Sequence, residues 1–133
     1  MSAPVRVGLT LPSFREEIDP LLEVASAAEA AELDGVFAYD HLFRYAADGA
    51  VRPALELGAV LGALAAATDR IAIGSLVARA TLRPPAVLAN VFDTARRIAG
   101  ARVIAGIGAT SVQSSGAATS PSTNAIPRVA KNA

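Results

Sequence analysis

The sequence contains no cysteine and only one histidine. Without cysteine the chain has no disulfide framework and no thiolate metal site. A single imidazole among scattered carboxylates also predicts no metal centre and shows no nucleophile–base pair. The formal net charge is zero and no basic stretch stands out, so nucleic-acid binding has no electrostatic support.

Long apolar runs are also missing, although 53% of the residues are hydrophobic and the mean hydropathy is +0.42. A membrane-spanning helix needs about 20 consecutive, mostly apolar residues. The longest apolar stretch, residues 57–67, is far shorter and is interrupted by glycine. Residues 1–6 contain no basic region leading into an apolar core, so we predict no signal peptide. We therefore expect a cytoplasmic protein without a membrane anchor.

Four short β-rich segments, bounded by glycine, proline or charge, recur at spacings of about 30 residues and predict strands. They cover residues 5–11, 35–39, 70–77 and 102–107. Between them, apolar residues at helical spacing predict helices over about residues 16–33, 53–67 and 85–99. Pro53 is assigned to the first position of the second helix. This alternation predicts an α/β fold with a parallel sheet and right-handed crossovers.

The end of the chain has a different composition. Residues 110–133 are rich in serine, threonine, alanine and proline, with no sustained period of strand or helix. We interpret them as a disordered or irregular tail following one domain over residues 1–109. A loose chain end is the ordinary interpretation of such a segment, and a flexible arm for a partner is the alternative.

Ligands of parallel α/β folds bind at the carboxyl ends of the strands. These ends fall here at residues 10–13, 39–44, 75–79 and 106–111. His41 follows the second strand and could move a proton near neutral pH, or it could be an ordinary loop histidine. Asp40 could raise the basicity of His41, although sequence neighbours on a strand face opposite sides.

Two further features suit anions. Gly106 and Gly108 suggest a phosphate loop, but the third glycine of that motif is replaced by Ser111 and no convincing helix follows. We interpret them as small residues beside a crowded barrel core. Arg79 and Arg83 flank a turn, where they could bind an anion or pair with a neighbouring acid.

Several segments, in one order and spacing, resemble the luciferase-like monooxygenase family, which includes F420-dependent members. Residues 5–12 resemble its first strand, and residues 27–42 resemble its first helix, second strand and Asp-His turn. Residues 64–77 resemble its second helix and third strand. Residues 82–89 and 102–109 continue the match.

The resemblance implies a partial (β/α)8 barrel of about four βα units that binds coenzyme F420, or alternatively FMN. The expected activity is hydride transfer or monooxygenation of a small-molecule substrate. His41 would be the catalytic proton carrier facing the isoalloxazine ring. The implied cofactor-binding residues are Asp40, Ser75, Leu76, Val77, Gly106 and Gly108. In relatives the third strand often carries a non-proline cis peptide, which corresponds here to the Leu76–Val77 bond.

The sequence departs from the family in two ways. Sugar-phosphate dehydrogenases of the family carry Gly-Glu after the fourth strand, where this chain has Thr110 and Ser111, which counts against that activity. An eight-unit barrel usually needs about 200 residues or more, so the chain resembles an N-terminal half. The alternative function is therefore a truncated, non-catalytic fragment or a pairing subunit. Its open sheet edges would favour a homodimer or aggregation.

Overall fold

The computed structural model describes residues 4–109 of the chain. Its strands are β1 (Gly8–Thr10), β2 (Gly35–Ala38), β3 (Phe43–Tyr45), β4 (Val51–Pro53), β5 (Ala72–Arg79) and β6 (Val103–Gly108). Its helices are α1 (Asp19–Ala30), α2 (Leu57–Ala67) and α3 (Pro85–Ala99), and a 3-10 turn spans Gly100–Arg102. The predicted tail, residues 110–133, lies outside the described residues.

The main sheet has the order β1-β2-β5-β6, and each pair of neighbours is parallel. Gly8 pairs with Gly35, Val36 with Ile73, and Ile73 in turn with Val103. The predicted α/β fold with four parallel strands is confirmed. Since all four strands run in one direction, their carboxyl ends lie along a single edge.

The three helices cover one face of this sheet. Val36 and Ala38 of β2 are fully buried, as are Leu21 of α1 and Leu64 of α2. Removing such side chains from water contributes about 25 cal/mol per Å² of apolar surface, which fixes the helices to the strands. No helix in the described part of the chain is long and apolar enough to cross a membrane.

The apolar residues at helical spacing in α3 predict a buried stripe of Leu88, Val91, Phe92, Ala95 and Ile98, which the structure confirms except at its end. Leu88, Phe92 and Ala95 are buried, but Ile98 is 53% exposed and Ala99 occupies the buried position instead. The i, i+3 and i+4 spacing from Ala95 allows either residue to continue the stripe. Packing selects the smaller side chain.

Phe37 lies on the other face of the sheet, against two glycines. A Cβ atom on Gly8 would come within 2.6 Å of a Phe37 ring carbon, and one on Gly35 within 3.0 Å. The first distance is shorter than the contacts that real Cβ atoms make, and the second would require the ring to shift by a few tenths of an ångström. The lack of a side chain at Gly8 of β1 and at Gly35 of β2 therefore provides the space that the Phe37 ring fills.

The segment before α2 differs from the prediction. Pro53 ends β4, which pairs antiparallel with β3 in a hairpin, and α2 starts only at Leu57. The physical reason is the cap: the Glu56 carboxylate accepts the Ala59 backbone N–H at 2.8 Å. This bond satisfies one of the first free N–H groups of the helix and sets its start.

Candidate functional site

The four predicted strand ends lie together at the carboxyl edge of the sheet. There His41 is part of an aromatic cluster, which we define as Phe14, Tyr39 and His41. The His41 ring centroid lies 5.3 Å from that of Phe14 and 5.9 Å from that of Tyr39. Phe14 and Tyr39 are themselves stacked at 6.1 Å. These are ordinary distances for interacting rings.

The aromatic cluster forms because the loop after β1 is tied to the end of β2. The Leu11 N–H donates to the Phe37 carbonyl at 2.7 Å. The buried Ser13 hydroxyl accepts the Tyr39 N–H and donates to the Leu11 carbonyl, both at 3.3 Å. These bonds hold the next residue, Phe14, beside His41.

The His41 imidazole is partly buried. Burial lowers its pKa from the ordinary value, the positive charge of Arg79 lowers it further, and Asp40 partly opposes both effects. Both lowering effects disfavour the protonated ring. The ring is therefore neutral near neutral pH and has a nitrogen that can accept a proton.

Asp40 is buried, and its carboxylate is held by two neighbours. Arg83 donates to both carboxylate oxygens, at 2.7 and 3.0 Å, and the Arg79 backbone N–H donates at 2.8 Å. This two-pronged arginine–carboxylate geometry is the strong form of the interaction. Of the two interpretations of Arg83, pairing with an acid is the one observed.

Arg83 also donates to Glu56, the residue that caps α2. Burial disfavours the charged form of Glu56, but the Ala59 N–H and Arg83 outweigh it, so the pKa of Glu56 is lowered. The hydrogen bond to Asp40 is the largest cause that raises the pKa of Arg83. One guanidinium thus joins the end of β2, the start of α2 and the β5–α3 connection.

The end of β5 presents two apolar side chains. Leu76 is 50% exposed and Val77 is 39% exposed. The bond between them is cis, as the resemblance implied. The preceding residue, Ser75, is buried, and its hydroxyl donates to the Gly106 carbonyl at 2.8 Å.

Gly106 and Gly108 of β6 lie close to β5. A Cβ atom on Gly106 would collide with the Ser75 carbonyl oxygen, and one on Gly108 with the Val77 side chain. Both glycines therefore allow close strand packing, in agreement with our interpretation of them as residues of a crowded core. Within residues 4–109 no group of histidine and acidic residues could hold a metal ion.

Two residues of this edge were not among the predicted site residues, although Arg44 lies within the strand end predicted at residues 39–44. Phe14 joins the aromatic cluster, and the Arg44 guanidinium carbon lies 5.0 Å from the Phe14 ring centroid. Phe14 follows directly on the predicted turn at residues 10–13, and an aromatic residue at a strand's carboxyl end was the available signal. Arg44 belongs to β3, which the sequence analysis did not predict.

Comparisons with known proteins agree with this fold. The family model described as "Luciferase-like monooxygenase" matches residues 1–117. The chain is 38% identical over 110 residues to an F420-dependent glucose-6-phosphate dehydrogenase of Microbacterium testaceum (strain StLB037). That match covers 81% of this chain and 32% of the relative, so the chain spans about a third of the relative's length.

Two solved structures extend the comparison. An F420-dependent secondary alcohol dehydrogenase, in complex with an F420-acetone adduct, matches with a TM-score of 0.67 at 26% identity. The match covers 77% of this chain and 31% of that one. The coenzyme F420-dependent tetrahydromethanopterin reductase from Methanopyrus kandleri matches with a TM-score of 0.66 at 22% identity, over 79% of this chain and 27% of that one. The second likeness concerns the fold alone.

Proposed function

Since the chain belongs to the luciferase-like monooxygenase family, we propose that its carboxyl edge takes part in hydride transfer between coenzyme F420 and a small-molecule substrate. The observation that carries the proposal is the position of His41 in the aromatic cluster at the carboxyl edge, the edge near which Leu76 and Val77 of β5 expose apolar side chains. The lowered pKa of His41 supports the assignment. Support comes from the F420-dependent relative and from the F420-dependent alcohol dehydrogenase of similar fold.

The residues at this edge fit a flat heteroaromatic ring. Leu76 and Val77 offer an exposed apolar surface, and Gly106 and Gly108 add no side chain beside it. Binding sites for such rings are mostly apolar with a few placed polar groups. When bound, the deazaflavin would supply or take up the hydride. Ser75 supports the surface indirectly, because its hydroxyl joins β5 to β6.

His41 is the residue to which we assign proton transfer. Oxidation of an alcohol releases a proton, and one imidazole nitrogen of His41 accepts it because its lowered pKa keeps the ring neutral. Phe14 and Tyr39 limit the orientations of that ring. Asp40 acts as a positioning residue, since it holds Arg79 and Arg83 at the same edge.

The direct test is titration of the purified chain with F420 and FMN, followed by turnover measurements with a secondary alcohol and with glucose 6-phosphate. Saturable binding of F420 is the expected result. His41→Ala should lower kcat by about 10²-fold or more, the usual contribution of a general base, while the Kd for F420 changes little.

His41→Gln is the matched variant, because it keeps a polar side chain that cannot accept a proton near neutral pH. It should lose turnover as His41→Ala does. Full turnover by either variant would remove His41 from the mechanism. If the chain binds FMN and not F420, the cofactor is the flavin alternative and the proposal of a deazaflavin is wrong.

A second candidate function, a pairing subunit, is favoured by the apolar side chains on the two edge strands of the described sheet. Leu9 of β1 is 38% exposed, and Ile104 and Ile107 of β6 are 46% and 58% exposed. Exposed strand edges with apolar side chains favour pairing with another chain. Light scattering coupled to size-exclusion chromatography is expected to show a dimer. If only the dimer binds F420, pairing is a requirement for cofactor binding and both functions belong to one assembly.

A further inference from the structure

The β3–β4 hairpin separates its side chains by chemistry. Register pairs Arg44 directly with Arg52, while the pairs on either side bring Phe43 opposite Pro53 and Tyr45 opposite Val51. Because successive residues of a strand face opposite sides, both arginines share one face of the hairpin. We call Arg44 and Arg52 the arginine pair. The opposite face is apolar, and there the ring centroids of Phe43 and Tyr45 lie 5.6 Å apart.

The arginine pair is on the side of the hairpin that faces the candidate site. The Arg44 guanidinium carbon lies 5.0 Å from the centre of the Phe14 ring, and Phe14 contacts His41. Arg52 lines a concavity of about 380 Å³ together with Phe14, Arg15 and Pro20, and Val51 and Pro53 of the apolar face line it as well. The polar face of the hairpin is thus beside the aromatic cluster, while Tyr45 on its apolar face is 63% exposed.

This arrangement has an electrostatic cost when nothing is bound. Like charges directly opposite each other on paired strands are destabilising. Glu16 and Glu17 line the same concavity. Among residues 4–109, however, the salt bridges involve Arg83, Arg96 and Arg97, and none involves Arg44 or Arg52. Arg44 and Arg52 therefore occupy facing positions of the hairpin, and neither has a salt-bridge partner among residues 4–109.

We propose that the arginine pair binds the anionic group, a phosphate or a carboxylate, of a molecule that occupies the candidate site. An anion between the two guanidinium groups would remove their repulsion and accept planar, two-pronged hydrogen bonds from them. The inference rests on the proposed function only in taking the carboxyl edge as the ligand site. The anion belongs either to a substrate or to the cofactor.

The first test uses inorganic phosphate with no flavin present. The full chain, labelled with ¹⁵N, is titrated in chloride buffer at constant ionic strength, and the arginine Nε–H resonances are followed. We expect saturable shifts at Arg44 and Arg52. Arg44→Gln and Arg52→Gln should each raise the Kd for phosphate about tenfold, which corresponds to one charge-assisted hydrogen bond.

Arg6→Gln is the matched control, because it makes the same charge change just before β1, at the opposite edge of the sheet. It should leave the Kd for phosphate within about twofold, since a screened distant charge contributes little. Failure of phosphate to saturate the chain would overturn the inference. So would an unchanged Kd in both arginine-pair variants, or an equal loss in Arg6→Gln.

The second test identifies the source of the anion by comparing FMN with riboflavin, which lacks the phosphate. If the cofactor phosphate is the ligand, FMN binds more tightly than riboflavin, and the arginine-pair variants remove the difference. If a substrate anion is the ligand, FMN and riboflavin bind alike and inorganic phosphate still binds in the presence of FMN. If flavin binds but phosphate does not, the inference about the arginine pair is overturned and the proposed function stands. If phosphate binds but neither F420 nor flavin does, the proposed function is overturned and the inference stands.

Discussion

The amino and carboxyl edges of the main sheet use their charged residues in different ways. At the amino edge, Glu29 at the end of α1 accepts backbone N–H groups of the segment that leads into β5, including Ile71 at 2.7 Å. Arg102, before β6, donates to the carbonyls of Thr68 and Ile71 at 2.7 and 2.8 Å. The charged groups of Glu29 and Arg102 are therefore occupied by hydrogen bonds to the backbone.

At the carboxyl edge, His41 is held by ring contacts, and Arg44 lies over an aromatic ring with no acid as its partner among residues 4–109. In (β/α) barrels the amino edge serves stability and the carboxyl edge serves binding and catalysis. The charged residues of this chain differ between the edges in the same sense, since those of the amino edge bond to the backbone while Arg44 does not pair with an acid. Asp40 and Arg83 are the exception, a buried ion pair at the carboxyl edge.

The largest expected effect tests that exception. Asp40→Ala leaves the Arg83 cation, which is 14% exposed, without its main partner, and should lower the free energy of unfolding by about 3–5 kcal/mol. Urea denaturation followed by circular dichroism measures it. The double variant Asp40→Ala/Arg83→Met should lose less than the sum of the two single variants, because it also removes the cation that Asp40→Ala leaves with Glu56 as its only acidic partner among residues 4–109. An additive result would mean that the two side chains do not interact.

The next effect concerns the amino edge. Arg102→Met removes the donors to the carbonyls of Thr68, Ile71 and Ala99, and should cost about 2–3 kcal/mol of unfolding free energy. Arg102→Lys keeps the charge but not the planar fork, so it should restore less than half of the loss. The Kd for F420 of the folded fraction should not change. A changed Kd would contradict the division between the two edges.

The smallest effect is a dependence on pH. Hydrogen bonds from the Ile71 and Arg70 N–H groups lower the pKa of Glu29 in the folded chain. The contribution of the Glu29 carboxylate to the stability of the fold is therefore complete above the pKa that Glu29 has in the unfolded chain. It is lost as the pH falls through the lower pKa that Glu29 has in the folded chain. Glu29→Gln should cost about 1 kcal/mol near neutral pH and make the fall in stability on acidification below the ordinary glutamate pKa of 4.5 shallower. Parallel acid-denaturation curves would contradict this.

The parts of the fold that follow from local pattern were predicted well. α3 spans Pro85–Ala99 as expected, because proline suits its first turn, its apolar stripe is regular and Gly100 ends it. β2 and β5 follow from short β-rich segments bounded by turn residues. These features depend on neighbours in sequence, which the sequence displays directly.

The hairpin was missed although its signal is present. Asp48 and Gly49 form a turn in which Gly49 has a φ of 82° and the Asp48 carboxylate accepts the Ala50 N–H. Asp-Gly between short β-rich segments is a recognised hairpin signal. The strands have only 3 residues each, so alternation was too short to detect.

The partner of Asp40 could not be derived from the sequence. Asp40 and Arg83 are 43 residues apart, and several arginines were equally available to the carboxylate. Only the parallel order of β2 and β5, together with the course of the chain after β5, brings this one into contact. The place of His41 followed from local pattern, whereas the network around it depends on the tertiary fold.

The ring of Phe37 occupies volume that side chains at positions 8 and 35 would otherwise need. The three positions therefore cannot vary independently. A methyl group at position 8 would force the Phe37 ring to move or favour a smaller residue at position 37, and an aromatic residue at 37 favours glycine on the strand beside it. Natural variation among relatives should show these sites changing together, as one inherited unit shared between two strands.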